Sequence, residues 1–222
     1  MFNIDNRFDK LPWLEACEQQ LYELLAADRL PHALMIQGLP GMGRRHLAMS
    51  LATRILGADP TATVGGGRDE EEAGHPDFYP VTLIPTDSNP NKLRTVIVVD
   101  QIRELIEELS LTSYGPGGKV AVIYPADKLN VNAANSLLKT LEEPPGKTTI
   151  ILVCESPRRL PATIISRCQC LRLAAPPATL VLEWLESQAP GTRFDNLLDF
   201  AGGAPLQALQ LHESGFAGQA ND

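Results

Sequence analysis

Residues 33–45 read Ala33-Leu34-Met35-Ile36-Gln37-Gly38-Leu39-Pro40-Gly41-Met42-Gly43-Arg44-Arg45, a short apolar run that ends in a glycine-rich turn. Leu47, Leu51 and Ile55 follow at helical spacing, so the stretch reads as a buried strand, a loop and a helix. A phosphate-binding loop needs this context and the pattern GxxxxGK[ST], in which backbone N–H groups cradle phosphates, the lysine reaches their oxygens and the hydroxyl holds magnesium. Gly38, Gly41 and Gly43 keep the shape, but Arg44 and Arg45 stand at both functional positions. Arg44 can still meet a phosphate through its planar fork, although that fork does not fill a lysine-shaped slot. Arg45 is a permanent cation and cannot ligate magnesium. The glycines alone also suit a plain tight turn, and both readings stay open on this motif.

The rest of the chain extends the alternation of strand and helix. A helix is predicted over Trp13 to Leu25 and strands over Phe78 to Ile84, Lys119 to Tyr124 and Thr148 to Cys154. Pro85 to Lys92 reads as a polar connection. Asp100 is the expected cap of a helix whose face is Ile102, Leu105, Ile106 and Leu109; a second helix carries Val131, Ala134, Leu138 and Leu141 and stops at Pro144-Pro145. This order predicts an α/β fold, a parallel sheet covered by helices on both faces, over residues 1–172. From about Leu173 helical patterns alone remain, starting after Pro176-Pro177 and recurring at Phe194 to Phe200 and Pro205 to Leu211, so 173–222 reads as a small helical domain. Thr61 to His75 combines glycines with an acidic run and is expected to be a mobile surface insertion.

With 222 residues, 44% of them hydrophobic, the chain can build one good core and a smaller second unit. A formal charge of -8 and a pI near 5.0 argue against strong binding of nucleic acid by this chain alone. No apolar run reaches the length of a membrane span and MFNIDNRFDK lacks a secretory apolar core, so a cytoplasmic, membrane-free location is expected. Cys17, Cys154, Cys168 and Cys170 form no CxxC framework and read as reduced structural thiols; Cys168 and Cys170 would share one face of a strand. The four histidines are dispersed, and no metal site is expected.

Magnesium-dependent phosphoryl transfer also needs carboxylates at the end of a neighbouring strand. The expected positions hold Tyr124 and Pro125, and Asp127 lies three residues beyond the first of them, read as a turn or helix-cap residue. Two lesions in separate parts of one site make hydrolysis by this chain unexpected.

Asn135-Ser136-Leu137-Leu138-Lys139-Thr140-Leu141-Glu142-Glu143-Pro144-Pro145, followed by Ser166-Arg167-Cys168, resembles the bacterial clamp-loader subunits of DNA polymerase III. His32-Ala33-Leu34, the loop, the NSLLKTLEEPP helix and the ISRCQ corner fall in that family's order over nearly the whole chain. The resemblance implies an AAA+ module with a helical lid in a five-subunit assembly that opens a sliding clamp and places it on primed DNA. It implies gamma or tau and delta subunits as partners, with ATP and magnesium bound by the neighbouring subunit rather than here. Within the family the altered loop matches a non-hydrolysing subunit rather than the ATP-hydrolysing gamma or tau type. Ser166, Arg167 and Cys168 then match the interface motif whose arginine reaches a neighbour's ATP, and Arg167 becomes a finger in trans. Read without the family, Arg167 pairs with a carboxylate at a helix-to-strand corner.

Lys139, Glu142 and Glu143 carry no assigned role. Acidic side chains at a helix C-terminus oppose its dipole and hint at a cationic neighbour, while a solvated end explains them equally. Family members often carry a cysteine-ligated zinc module after the loop helix; residues 57–93 contain no cysteine, so zinc is expected to be absent. The family's third, collar-forming domain also has no counterpart before Asp222. An active ATPase with rearranged ligands and a nucleotide sensor without turnover remain alternatives.

Overall fold

In the computed structural model, residues 10–58, 74–86 and 88–215 are described. The insertion expected at residues 61–75 therefore lies almost wholly outside the described residues. A short 3-10 turn, Pro12–Leu14, leads into α1 (Glu15–Ala26), followed by β1 (Ala33–Gln37) and α2 (Arg44–Leu56). Then come β2 (Phe78–Val81), a hairpin of β3 (Pro85–Thr86) and β4 (Asn89–Leu93), α3 (Val99–Ser110), β5 (Lys119–Ile123) and α4 (Val131–Glu142). β6 (Thr148–Cys154), α5 (Ala162–Ile165) and β7 (Gln169–Arg172) complete the sheet, and α6 (Ala178–Gln188), α7 (Asp195–Phe200) and α8 (Pro205–Glu213) follow.

Five strands form one sheet in the order β2-β5-β6-β1-β7, and every pairing in it is parallel. The central strands are apolar without alternation because both of their faces are buried. Leu34, Ile36, Val120, Val122, Ile151 and Val153 point to one face, where they meet α1, α2 and the three C-terminal helices. Ala33, Met35, Ala121, Ile123, Ile150 and Leu152 point to the other, against α3, α4 and α5. Pro80 is tolerated because β2 is an edge strand, paired only with β5.

Four local expectations change. β2 stops at Val81, because the Thr82 carbonyl accepts a hydrogen bond from Gln101 Nε2 (2.8 Å) rather than extending the strand. The connection read in Pro85 to Lys92 is an antiparallel hairpin, closed by the Thr86 hydroxyl on the Asn89 carbonyl (3.1 Å) and by Arg94 N–H on the Ile84 carbonyl (2.8 Å). Asp100 does not cap α3: Val98 holds the cap position, its N–H bonded to Gln101 Oε1, and Asp100 pairs with Arg103 in the exposed first turn. The buried stripe of α4 runs through Ala133, Ala134, Leu137 and Leu141, which leaves Val131 exposed and Leu138 at its rim. Asn130 sets that phase as the true N-cap, accepting the Ala133 N–H at 2.8 Å. The first C-terminal helix starts directly after Pro176-Pro177 as expected, and α7 and α8 agree with the predicted spans to within two residues.

Among the described residues no helix is long and apolar enough to cross a membrane. The C-terminal helices belong to the same core as the first face of the sheet, with Val181, Leu185, Leu198 and Ala208 fully or nearly fully buried in it. Trp13 and Trp184 meet edge to face with ring centroids 5.0 Å apart, joining the N-terminal turn to α6. Trp13→Ala is expected to lower stability by about 2–3 kcal/mol. Denaturant titration followed by circular dichroism checks this, and one cooperative transition for sheet and C-terminal helices together is expected.

Candidate functional site

The loop leaves the C-terminal end of β1 through Gly38 and enters α2 at Gly43. Gly41 (φ 76°) and Gly43 (φ 82°) lie in the left-handed region, which side-chain-bearing residues rarely adopt. Close approach adds a second reason. A Cβ on Gly43 would lie 2.6 Å from Leu11 Cδ1 and one on Gly41 2.7 Å from the Gln207 nitrogen of α8. Hydrogen bonds fix the same contacts: Trp13 Nε1 donates to the Met42 carbonyl (3.1 Å), and the Leu206 N–H donates to the Gly41 carbonyl (3.1 Å). The loop is thus packed between the N-terminal turn and the first turn of α8.

Arg44 opens α2 and is only 6% exposed. Its Nη2 donates to Glu155 Oε1 at 3.0 Å, while its Nη1 is buried with no hydrogen-bond partner among the described residues. Glu155 follows directly on the C-terminal end of β6, the strand beside β1, which brings its carboxylate to the loop. Its own N–H is held by Asp127 Oδ1 (3.2 Å). Asp127 lies in a 3-10 turn, Ala126–Lys128, as the turn reading expected, but it is buried and also faces Arg159 at 3.8 Å. Arg45 meets a different group, its guanidinium carbon 5.4 Å from the centroid of the Tyr124 ring. The two altered residues of the loop therefore each meet a partner from the end of a neighbouring strand: Arg44 a carboxylate, Arg45 an aromatic face. His46, next in the helix, has its pKa lowered by burial, partly opposed by Glu18.

Arg167 lies elsewhere. It lies in the three-residue link between α5 and β7, so it is at the N-terminal edge of the parallel sheet, whereas the loop is at the C-terminal edge of β1. A five-residue strand separates those edges by roughly 15 Å. Arg167 Nε donates to Glu142 Oε1 at 2.5 Å, and Nη2 contacts the same oxygen; Nη1 donates to the Thr163 carbonyl at 2.9 Å and lies 3.5 Å from the Ser166 hydroxyl. The side chain is 30% exposed and Glu142 49%, so solvent screening keeps the pair weak. The cationic neighbour hinted at by the acidic end of α4 is Arg167, which gives Glu142 a partner; Glu143 is exposed. The carboxylate pairing foreseen for an isolated Arg167 is present.

Glu155 is the residue that sequence reasoning missed. The search for carboxylates was confined to the end of β5, although β6 is the strand that lies beside β1 and β5 is one strand further from the loop. All four cysteines are free. Cys168 stands just before β7, and it lies on the same side of the sheet as the exposed Cys170: Cys168 packs against the cluster that holds Met35, and Cys170 Sγ is 4.0 Å from Met35 Sδ. Among the described residues no three His, Cys, Asp or Glu side chains gather into a metal-binding group.

Residues 13–177 match the family model described as DNA polymerase III, delta subunit. The chain is 36% identical over 215 residues to DNA polymerase III subunit delta-prime of Pseudomonas aeruginosa, covering 93% of this chain and 62% of that protein. It is 36% identical over 209 residues to the delta-prime subunit of Escherichia coli, covering 91% and 60%. A match to subunit tau of Escherichia coli is 31% identical over 156 residues and covers 68% of this chain and 23% of that one. The chain thus spans about three fifths of the length of these delta-prime relatives. Among solved structures, a DNA polymerase III gamma subunit-related protein of Thermotoga maritima superposes with a TM-score of 0.57 at 16% identity, covering 87% of this chain and 57% of that one. The RuvB Holliday junction branch migration motor of Thermotoga maritima gives 0.57 at 15%, covering 94% and 62%. At such identities the likeness is one of fold, the AAA+ arrangement of a parallel sheet flanked by helices.

Burial raises the thiols of Cys154 and Cys168 to about 12. Both should react with iodoacetamide at pH 8 about 100-fold or more slowly in the native than in the denatured chain, as peptide mass spectrometry would record.

Proposed function

Because the chain belongs to the DNA polymerase III delta-subunit family, its curated relatives being delta-prime subunits, we propose that it is a non-catalytic component of the clamp loader. On this reading it works in the cytoplasm with gamma or tau and delta subunits, and meets the sliding clamp and primed DNA through that assembly. The observation that carries the reading is the stack of Arg45 on Tyr124. Those two positions are where a working site presents a hydroxyl and a carboxylate to magnesium, and a guanidinium on an aromatic ring offers a metal no oxygen. The residues present do not fit the magnesium complex of ATP, and no step of hydrolysis is routed through this chain.

Arg167 is proposed to act in trans, on nucleotide held by the adjacent subunit. Its position at the sheet edge opposite the chain's own loop supports a role outward, toward a neighbour. A guanidinium directed at a phosphoryl group neutralises the charge that develops during transfer, and its planar fork meets two oxygens at once. The Glu142 pair is exposed enough to exchange for a phosphate without a large cost. The helices α6 to α8 then correspond to the lid of an AAA+ module, in the division into residues 1–172 and 173–222.

Arg167→Ala, assembled with the partner subunits, should slow phosphate release at the neighbouring site by at least roughly tenfold and leave this chain folded. Unchanged turnover would remove the finger assignment. Arg44→Lys combined with Arg45→Thr should yield no phosphate from ATP while Tyr124 and Pro125 remain, measured on the isolated chain at millimolar ATP and magnesium.

A further inference from the structure

Arg44 presents an electrostatic problem that the chain solves from within. A guanidinium 94% withdrawn from solvent costs several kcal/mol unless an anion answers it. In a loop of this shape the answering anion is ordinarily a phosphate, drawn to the helix N-terminus and the cation together. Here the only carboxylate bonded to Arg44 among the described residues is that of Glu155, at 3.0 Å. The Glu155 side chain is half exposed, but its backbone is firmly placed. It is held by β6 on one side and by the buried Asp127 carboxylate on its N–H, which puts the carboxylate within reach of Arg44. The site nevertheless retains unused capacity, because Arg44 Nη1 is buried with no acceptor among the described residues.

The surrounding contacts engage loop carbonyls, Leu206 N–H on Gly41 and Trp13 Nε1 on Met42, and pack Leu11 and Leu14 against Gly43, so they hold the loop in place without occupying its anion-binding N–H groups. Among the described residues, what answers the cation is therefore Glu155 alone.

We propose that Glu155 is a built-in anion that takes the place of a nucleotide phosphate at Arg44, so that the loop keeps its contacts with the C-terminal helices without nucleotide. This deepens the non-catalytic reading and rests on it only in identifying the loop as one of phosphate-binding shape. A carboxylate that is part of the chain competes with any external anion at an effective concentration on the order of millimolar or more, and repels it as well. Removing it leaves a buried cation with an empty fork, which an inorganic oxyanion of matching geometry will take.

The test is pyrophosphate binding to the full chain, read by calorimetry and by thermal shift. Wild type is expected to show no saturable binding at millimolar pyrophosphate. Glu155→Ala and Glu155→Gln are expected to bind at least tenfold more tightly and to gain melting temperature with pyrophosphate. Arg44→Met combined with Glu155→Gln should lose both effects. If the alanine variant folds poorly, the glutamine variant, which keeps the shape, decides. Equal pyrophosphate affinity in wild type and Glu155→Gln, or a gain that survives loss of Arg44, would overturn the proposal. Phosphate released from magnesium ATP by any of these chains would instead overturn the non-catalytic reading and leave the role of Glu155 standing.

Discussion

Leu11 and Leu14 lie where any side chain on Gly43 would have to be, and this contact constrains much of the molecule. It requires the 3-10 turn at Pro12–Leu14 to sit directly on the loop, which in turn directs Trp13 to the Met42 carbonyl and to the edge of Trp184. Through Trp184 the same contact reaches α6, and through Gly41 the loop reaches α8. Three parts of the chain that are far apart in sequence, the N-terminal turn, the loop and the C-terminal helices, are held by one small apolar seam. The two glycines are needed both for their left-handed backbone and for the room they leave.

Charge is arranged around that seam with equal economy. Two arginines in succession at a helix N-terminus oppose its dipole, a placement that would be unfavourable if both were left facing the same space. The chain divides them. Arg44 is drawn inward to a carboxylate and Arg45 is laid over an aromatic ring. Asp127 supports the arrangement from behind, holding the Glu155 backbone while facing Arg159.

The parallel sheet was legible because β1, β5 and β6 are short, apolar on both faces and bounded by glycine or proline, a combination that few other structures accommodate. The helices after them were legible for the same reason, from their spacing. The hairpin at β3 and β4 was not, since Pro85-Thr86 and Asn89 to Leu93 bury no face and so leave no alternation to read. The phase of α4 was misread by one position because Val131 is apolar yet exposed, and only the Asn130 cap reveals the true start. At the site, residue identity announced that Arg44 and Arg45 were unusual, and Tyr124 likewise. What answered them was hidden, because the nearness of Glu155 to Arg44 spans 111 positions and follows from strand order rather than from any local pattern. The partner of Arg167 was half visible, as an acidic helix end in want of a cation.

The loop and Arg167 occupy opposite edges of one sheet, and that gives the molecule a direction. Copies of such a fold arranged side by side, loop edge to arginine edge, form a head-to-tail row in which every contact is heterologous and the two ends are different. A member whose loop is satisfied internally can still offer its arginine edge to the next in line, but has no use for the arginine edge of one behind it. On the proposed reading, such a chain does not belong in the interior of the row. It is a terminus, and the break in symmetry that it introduces fixes where counting begins.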